Sequence, residues 1–343
     1  MAWCLSCLML TEDRRSVIRL TLGTTGVFTL GLGLGWPLAS IGAVFTALFL
    51  QAPVGLTLKA SGSLFAFALI VMMFSWILSS ILMPYQIVFL ATVCIAIVAS
   101  FAWSLSGAGL LPGVLALMAA MMVPNLVLQS KDLALVLAGW VPVNLLIAGF
   151  TSGLMFTILP VKPPTATKKA QQAAPEFDKG RRMLRMSLVT VPFALVFFVS
   201  GGTALLVLFF VALLSQQLAA MPAAGKSVAK AMLTANILGA GVAIVCYEIN
   251  VLAPSIVTPA LLCFLLCLSL GTLGKCSNSL APAAGSAITT ALIIYGGSIA
   301  PFADEADVKS VTRVLQIASA AIFVILAYVV VDEFWPEKEQ QKA

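Results

Sequence analysis

Histidine is absent from this chain, and charged side chains make up only 9% of its 343 residues, where soluble domains carry roughly 25%. The first absence removes the side chain most often used to move protons near neutrality or to ligate a metal. The second excludes a water-soluble globular surface. Paired cysteines are also scarce: of seven, five (Cys94, Cys246, Cys263, Cys267 and Cys276) lie in or beside apolar runs and read as small packing residues. Cys4 and Cys7 have the spacing of a metal or redox pair, but no second pair and no histidine complete it. No metal and no cofactor are therefore expected.

What is present is apolar. Hydrophobic residues make up 61% of the chain, the mean hydropathy is +1.09, and runs of bilayer-crossing length follow one another from Leu20 to Val331. The runs are continuous and not alternating, which points to helices and away from a barrel. The expected fold is all-α, a polytopic transmembrane helical bundle in the lipid bilayer. The first ten residues lack a basic leader and a cleavage site, so they are not read as a signal peptide, and Met9 is an alternative start.

Glycine, proline and charge punctuate the runs. They predict helices near 19–36, 38–51, 60–82, 85–103, 108–128 and 132–159, then near 184–200, 203–217, 226–247, 252–273, 279–300 and 310–332. The second helix of each set is short. Residues 161–182, "VKPPTATKKAQQAAPEFDKGRR", are too polar to bury a core and read as a linker. The organisation expected is a cytoplasmic segment 1–18, a six-helix unit 19–160, a cytoplasmic linker 161–183, a second six-helix unit 184–336 and a cytoplasmic tail 337–343. With the N-terminus in the cytoplasm, sixteen of the nineteen basic residues fall inside and only Lys131, Lys309 and Arg313 outside, which the positive-inside rule favours.

The scarce polar residues repeat. Arg19, Thr24 and Gln51 are followed 166 positions later by Arg185, Thr190 and Gln217, and Lys59 is followed 167 later by Lys226. "LLP" ending at Pro112 matches "LAP" ending at Pro282, 170 apart, and "LPVK" (159–162) matches "WPEK" (335–338), 176 apart. Slowly growing offsets are what small loop insertions produce, so the chain reads as about twelve helices in two six-helix repeats. An even number of crossings per unit makes the repeats parallel.

The stretch "RLTLGTT" (19–25) at the head of a glycine-rich helix, a short second helix ending at Gln51, and "LTLKASGSLFAFAL" (56–69) opening a third together carry a resemblance. They resemble the membrane half-unit of the fusaric acid resistance and aromatic acid exporter superfamily, in particular a short bacterial branch of it. Membership would imply a proton-driven exporter in the bacterial inner membrane, partnered by a HlyD-type periplasmic adaptor and an outer-membrane channel. Larger relatives carry a soluble cytoplasmic domain, and here only the linker stands in its place.

Several residues could carry such chemistry. Arg19, Gln51 and Lys59 with Arg185, Gln217 and Lys226 are expected near the inner helix ends, as a basic mouth that collects a small organic anion. Arginine offers a planar fork for a carboxylate. The plainer reading of the cations is snorkelling anchors. Asn144 and Asn236, like Asn125, lie inside apolar helices, where they either orient solute or bond helix to helix. Glu248 and Asp132 are the acids considered for proton coupling; the plainer reading of Glu248 is an interfacial loop acid, and that of Asp132 a local ion pair with Lys131 or a helix N-terminal acid. Gly31, Gly33, Gly35, Gly239 and Gly241 are expected to permit close helix packing.

"AAMPAAGKS" (219–227) ends like a phosphate loop but has Ala220 where its first glycine belongs, so no nucleotide is expected. No nucleic-acid partner is expected either. No nucleophile and base pair points to an enzyme. The sequence thus supports efflux of small organic, aromatic or amphipathic anions. A passive anion channel and a non-transporting scaffold for an adaptor are the alternatives, and a homo-oligomer is compatible with each.

Overall fold

The computed structural model describes residues 12–108, 110–161, 179–200 and 225–299 apart from 256 and 278, with isolated positions at 211 and between 319 and 331. Ten α-helices and no strand are found among them. In chain order they are α1 (Glu12–Gly33), α2 (Ala39–Gln51), α3 (Leu58–Leu82), α4 (Gln86–Trp103), α5 (Leu110–Gln129), α6 (Lys131–Ile158), α7 (Lys179–Val199), α8 (Gly225–Leu252), α9 (Val257–Leu273) and α10 (Ala281–Ile299). A π-helical turn, Ser104–Ala108, continues α4. The expected helices at 203–217 and 310–332, residues 162–178 of the linker, Cys4 with Cys7, and the tail lie outside the described residues.

Among the described residues six helical stretches are long and apolar enough to cross a membrane, as in a multi-pass membrane protein. Helix α2, with 13 residues, reaches only about 20 Å. Two helices, α1 at Glu12 and α7 at Lys179, start at least five residues earlier than expected, inside the segments read as cytoplasmic. At α1 the cause is local: Glu12 and Asp13 fill the first turn, where the helix dipole favours acids.

Helix α1 ends at a tight reversal. Gly35 takes φ 63°, a left-handed conformation suited to glycine, and Pro37 follows it. Leu38 also takes a left-handed φ of 59°, a strained value for a branched side chain, immediately before α2 begins.

The chain divides into two compact units, and these are not the two halves of the sequence. Unit 1 comprises residues 1–66, 140–163 and 230–315, and unit 2 comprises 67–139, 164–229 and 316–343. In unit 1, α1 packs on α2 and α9, α2 on α10, and α10 on α9, closing a four-helix ring. Phe28 of α1 stacks on Tyr295 of α10 inside it, ring centroids 6.0 Å apart. In unit 2, α4 packs on α5 and α7. Phe89, Ile97 and Phe101 of α4, Met121 of α5 and Met186 of α7 share its core. The halves do not form separate bodies because neighbours in lipid are chosen by shape and small-residue contact, and chain proximity alone does not choose them.

The buried faces keep one register. Leu20, Gly23, Thr24 and Phe28 of α1 are buried, and so are Met186, Val189, Thr190 and Ala194 of α7, each 166 positions on. Leu22 and Leu30 are exposed, as are Leu188 and Val196. On α4 the buried residues are Phe89, Val93, Ile97, Ser100 and Phe101, and the residues 170 positions later on α9 are buried too. Helix α1 therefore meets α9 with the same faces that α7 and α4 present to each other.

Candidate functional site

The most constrained polar group in unit 1 is the Arg19 guanidinium. A buried stripe on α1 puts Arg15 and Arg19 one turn apart, and Arg19 is 3% exposed. Its Nη2 donates to Glu12 Oε1 at 3.0 Å and its Nη1 to the Leu159 carbonyl at 2.9 Å. The ring of Phe156 lies under it, 4.5 Å from Cζ to the centroid. A cation removed from water needs a counter-charge and hydrogen-bond acceptors, and Arg19 gains both. Its Nε–H has no acceptor among the described residues. The bond to Leu159 also brings the start of α1 and the end of α6 to one side of the unit.

The other residues named from sequence are placed as follows. Gln51 closes α2 and donates from Nε2 to the Gly285 carbonyl of α10 at 3.3 Å. Asn144 of α6 is fully buried and donates from Nδ2 to the carbonyls of Pro37 at 3.3 Å and Trp140 at 2.9 Å. It thereby fixes the reversal that leads into α2. Asn236 of α8 accepts a bond from the Thr290 hydroxyl of α10 at 2.8 Å. These amides join helix to helix, and their bonds run to different partners and not to one another.

Lys59 and Glu248 are exposed in unit 1, and Asp132 is exposed at the start of α6 in unit 2. Arg185, in unit 2, is half-buried and lines a shallow cleft with Arg181, Leu184, Leu188 and Val331. Gln217 and the side chain of Lys226 lie outside the described residues. Asn125 accepts from Gln129 Nε2 at 2.7 Å within α5.

Sequence reasoning missed Glu12, Phe156, Leu159 and Thr290. Glu12 stands seven residues before Arg19, two helical turns away, and that spacing was a usable signal. The rest belong to helices whose pairing the sequence does not encode locally. The glycines divide by geometry. A methyl group on Gly31 would meet Ala39 Cβ at 2.6 Å and one on Gly239 would meet the Ala287 carbonyl oxygen at 2.5 Å, whereas Gly33, Gly35 and Gly241 face open space.

Cys246, Cys263 and Cys267 are buried free thiols, with the Thr25 hydroxyl 4.0 Å from Cys263 Sγ. Among the described residues no group of three Cys, Asp or Glu side chains is placed to hold a metal ion. No family model, no curated protein and no solved structure matches the chain. The chemical case therefore rests on the site itself: a desolvated guanidinium at one end of a helical ring suits recognition of an anion, and the amides suit holding helices in register.

Proposed function

We propose that this protein is a membrane carrier for small organic anions, built as two parallel six-helix repeats, which exports its solute across the bacterial inner membrane with both termini in the cytoplasm. The observation that carries the reading is the crossed packing of α1 on α9 and α7 on α4, with matched positions facing inward. Two cores, each drawing on both halves of the chain with matched positions buried, are what a duplicated unit builds when its copies exchange helices. The shared side of the α1 start and the α6 end agrees with an even number of crossings in the first half.

Anion selectivity is supported by the burial of Arg19, since a guanidinium held away from water gains most from a carboxylate. Proton entry drives the cycle in this proposal, with Glu248 and Asp132 as the acids to examine. A HlyD-type adaptor and an outer-membrane channel complete the route, as the resemblance implies.

Uptake of radiolabelled benzoate into inside-out vesicles tests the reading, with and without an imposed proton gradient. Accumulation that collapses with the gradient supports the coupled carrier. Flux indifferent to the gradient would replace it with a passive channel, and no flux for any aromatic or aliphatic acid would leave a scaffold.

A further inference from the structure

We propose that Arg19 is the seat for the carboxylate of the solute and that Glu12 is an internal stand-in which holds this seat when solute is absent. The inference rests on the anion-carrier reading and deepens it, naming Glu12 as the internal competitor of the solute carboxylate.

The geometry of the guanidinium carries the argument. Arginine presents two parallel donors along its side, Nε–H and one Nη2–H, which match the two oxygens of a carboxylate. Glu12 uses only the Nη2 prong, through Oε1 at 3.0 Å. The Nε prong, on a side chain 4% exposed, meets no acceptor among the described residues. A buried donor left unsatisfied costs free energy that an in-plane carboxylate would recover. Among the described residues the side-on pair of donors is thus half used.

The partners differ in how readily they leave. The Glu12 side chain is 39% exposed, so its carboxylate reaches water without crossing the unit. The Phe156 ring belongs to the last turn of α6 and the Leu159 carbonyl directly follows that helix, and both approach the guanidinium at other positions, the carbonyl on Nη1 and the ring against its face. Glu12 and Arg19 share α1. The bond from Arg19 to Glu12 is therefore a contact within one helix, and passing that bond to an external carboxylate leaves the α1 to α6 clamp in place. The Phe156 ring beside the seat adds an apolar surface on which a planar aromatic acid packs.

Benzoate titration of the purified full-length protein, followed by calorimetry, tests the competition, with benzyl alcohol as the uncharged control. Replacing Glu12 with Gln removes the competing charge and keeps the side-chain volume, and it should tighten benzoate binding about tenfold while leaving benzyl alcohol unaffected. Arg19→Lys keeps the charge but loses the side-on fork, and it should weaken benzoate at least tenfold in both backgrounds. An unchanged or weaker benzoate affinity in Glu12→Gln overturns the proposal, as does the absence of benzoate binding in both proteins. The Glu12→Gln arm decides even where Arg19→Lys fails to fold. Gradient-driven flux with equal affinities sinks the stand-in and spares the carrier, whereas tightened binding without flux spares the seat and sinks the carrier.

Discussion

Asn144 on α6 donates a hydrogen bond to the carbonyl of Pro37, 107 residues earlier in the chain, at 3.3 Å. That bond pins a reversal in which Leu38 is held at φ 59°. Strained backbone persists where its surroundings over-determine it, and here a fully buried amide supplies the restraint.

Replacing Asn144 with Leu removes both donated bonds and leaves the Pro37 carbonyl to find another partner. A loss of about 1–3 kcal/mol is expected, read as a lower midpoint in chemical unfolding from detergent micelles. Gly42→Ala should act at the same place, because the new methyl group would lie 2.6 Å from Asn144 Oδ1. Equal stability of both variants and the native protein would show that the reversal holds without the amide.

The pair formed by Thr290 and Asn236 is buried on both sides. Thr290→Val or Asn236→Leu alone strands a polar atom, whereas the double replacement strands none. Each single variant should lose about 0.5–2 kcal/mol, and the double variant less than their sum, the range measured for bonds between membrane helices. Strict additivity in the double-mutant cycle would mean the two side chains do not interact.

Two glycines two residues apart on α8, and so on opposite faces of it, should behave in opposite ways. Gly239→Ala drives a methyl group into the backbone oxygen of Ala287, which cannot rotate away, and should cost about 1–3 kcal/mol. Gly241→Ala meets nothing within 4 Å and should be neutral or slightly stabilising, since alanine favours the helix by about 1 kcal/mol. Thermal unfolding of the two variants side by side checks the packing of α8 on α10.

The contact of α1 with α9 is testable at Gly271, where a methyl group would touch Leu20 Cδ2 and Val17 Cγ1 at an ordinary 3.4 Å. Gly271→Ala should fold normally, while Gly271→Trp should not insert. Rescue of Gly271→Trp by Leu20→Ala, measured as recovered monodisperse protein, would locate the added volume between these two helices, and failure of rescue would place it elsewhere.

The class of protein and the approximate positions of its described helices were legible in the sequence because the signals are local. Apolar runs of bilayer length, glycine and proline at their ends, and the absence of charge within them act over a single helix. Leu58–Leu82 and Gln86–Trp103 accordingly lie within two residues of where composition put them. The recurrence of Arg19 and Thr24 at Arg185 and Thr190 was also there to be read.

Which helix meets which was decided only by the tertiary structure. Arg19 finds its carbonyl 140 residues away and Gln51 its own 234 away, and α1 joins α9 from the other half of the chain. In water the buried face of a helix is marked by apolar residues, but in lipid both faces are apolar and that mark is lost. Partner choice then depends on small-residue gaps such as the one Gly239 leaves for Ala287, and on single bonds between polar atoms, neither of which a linear pattern records.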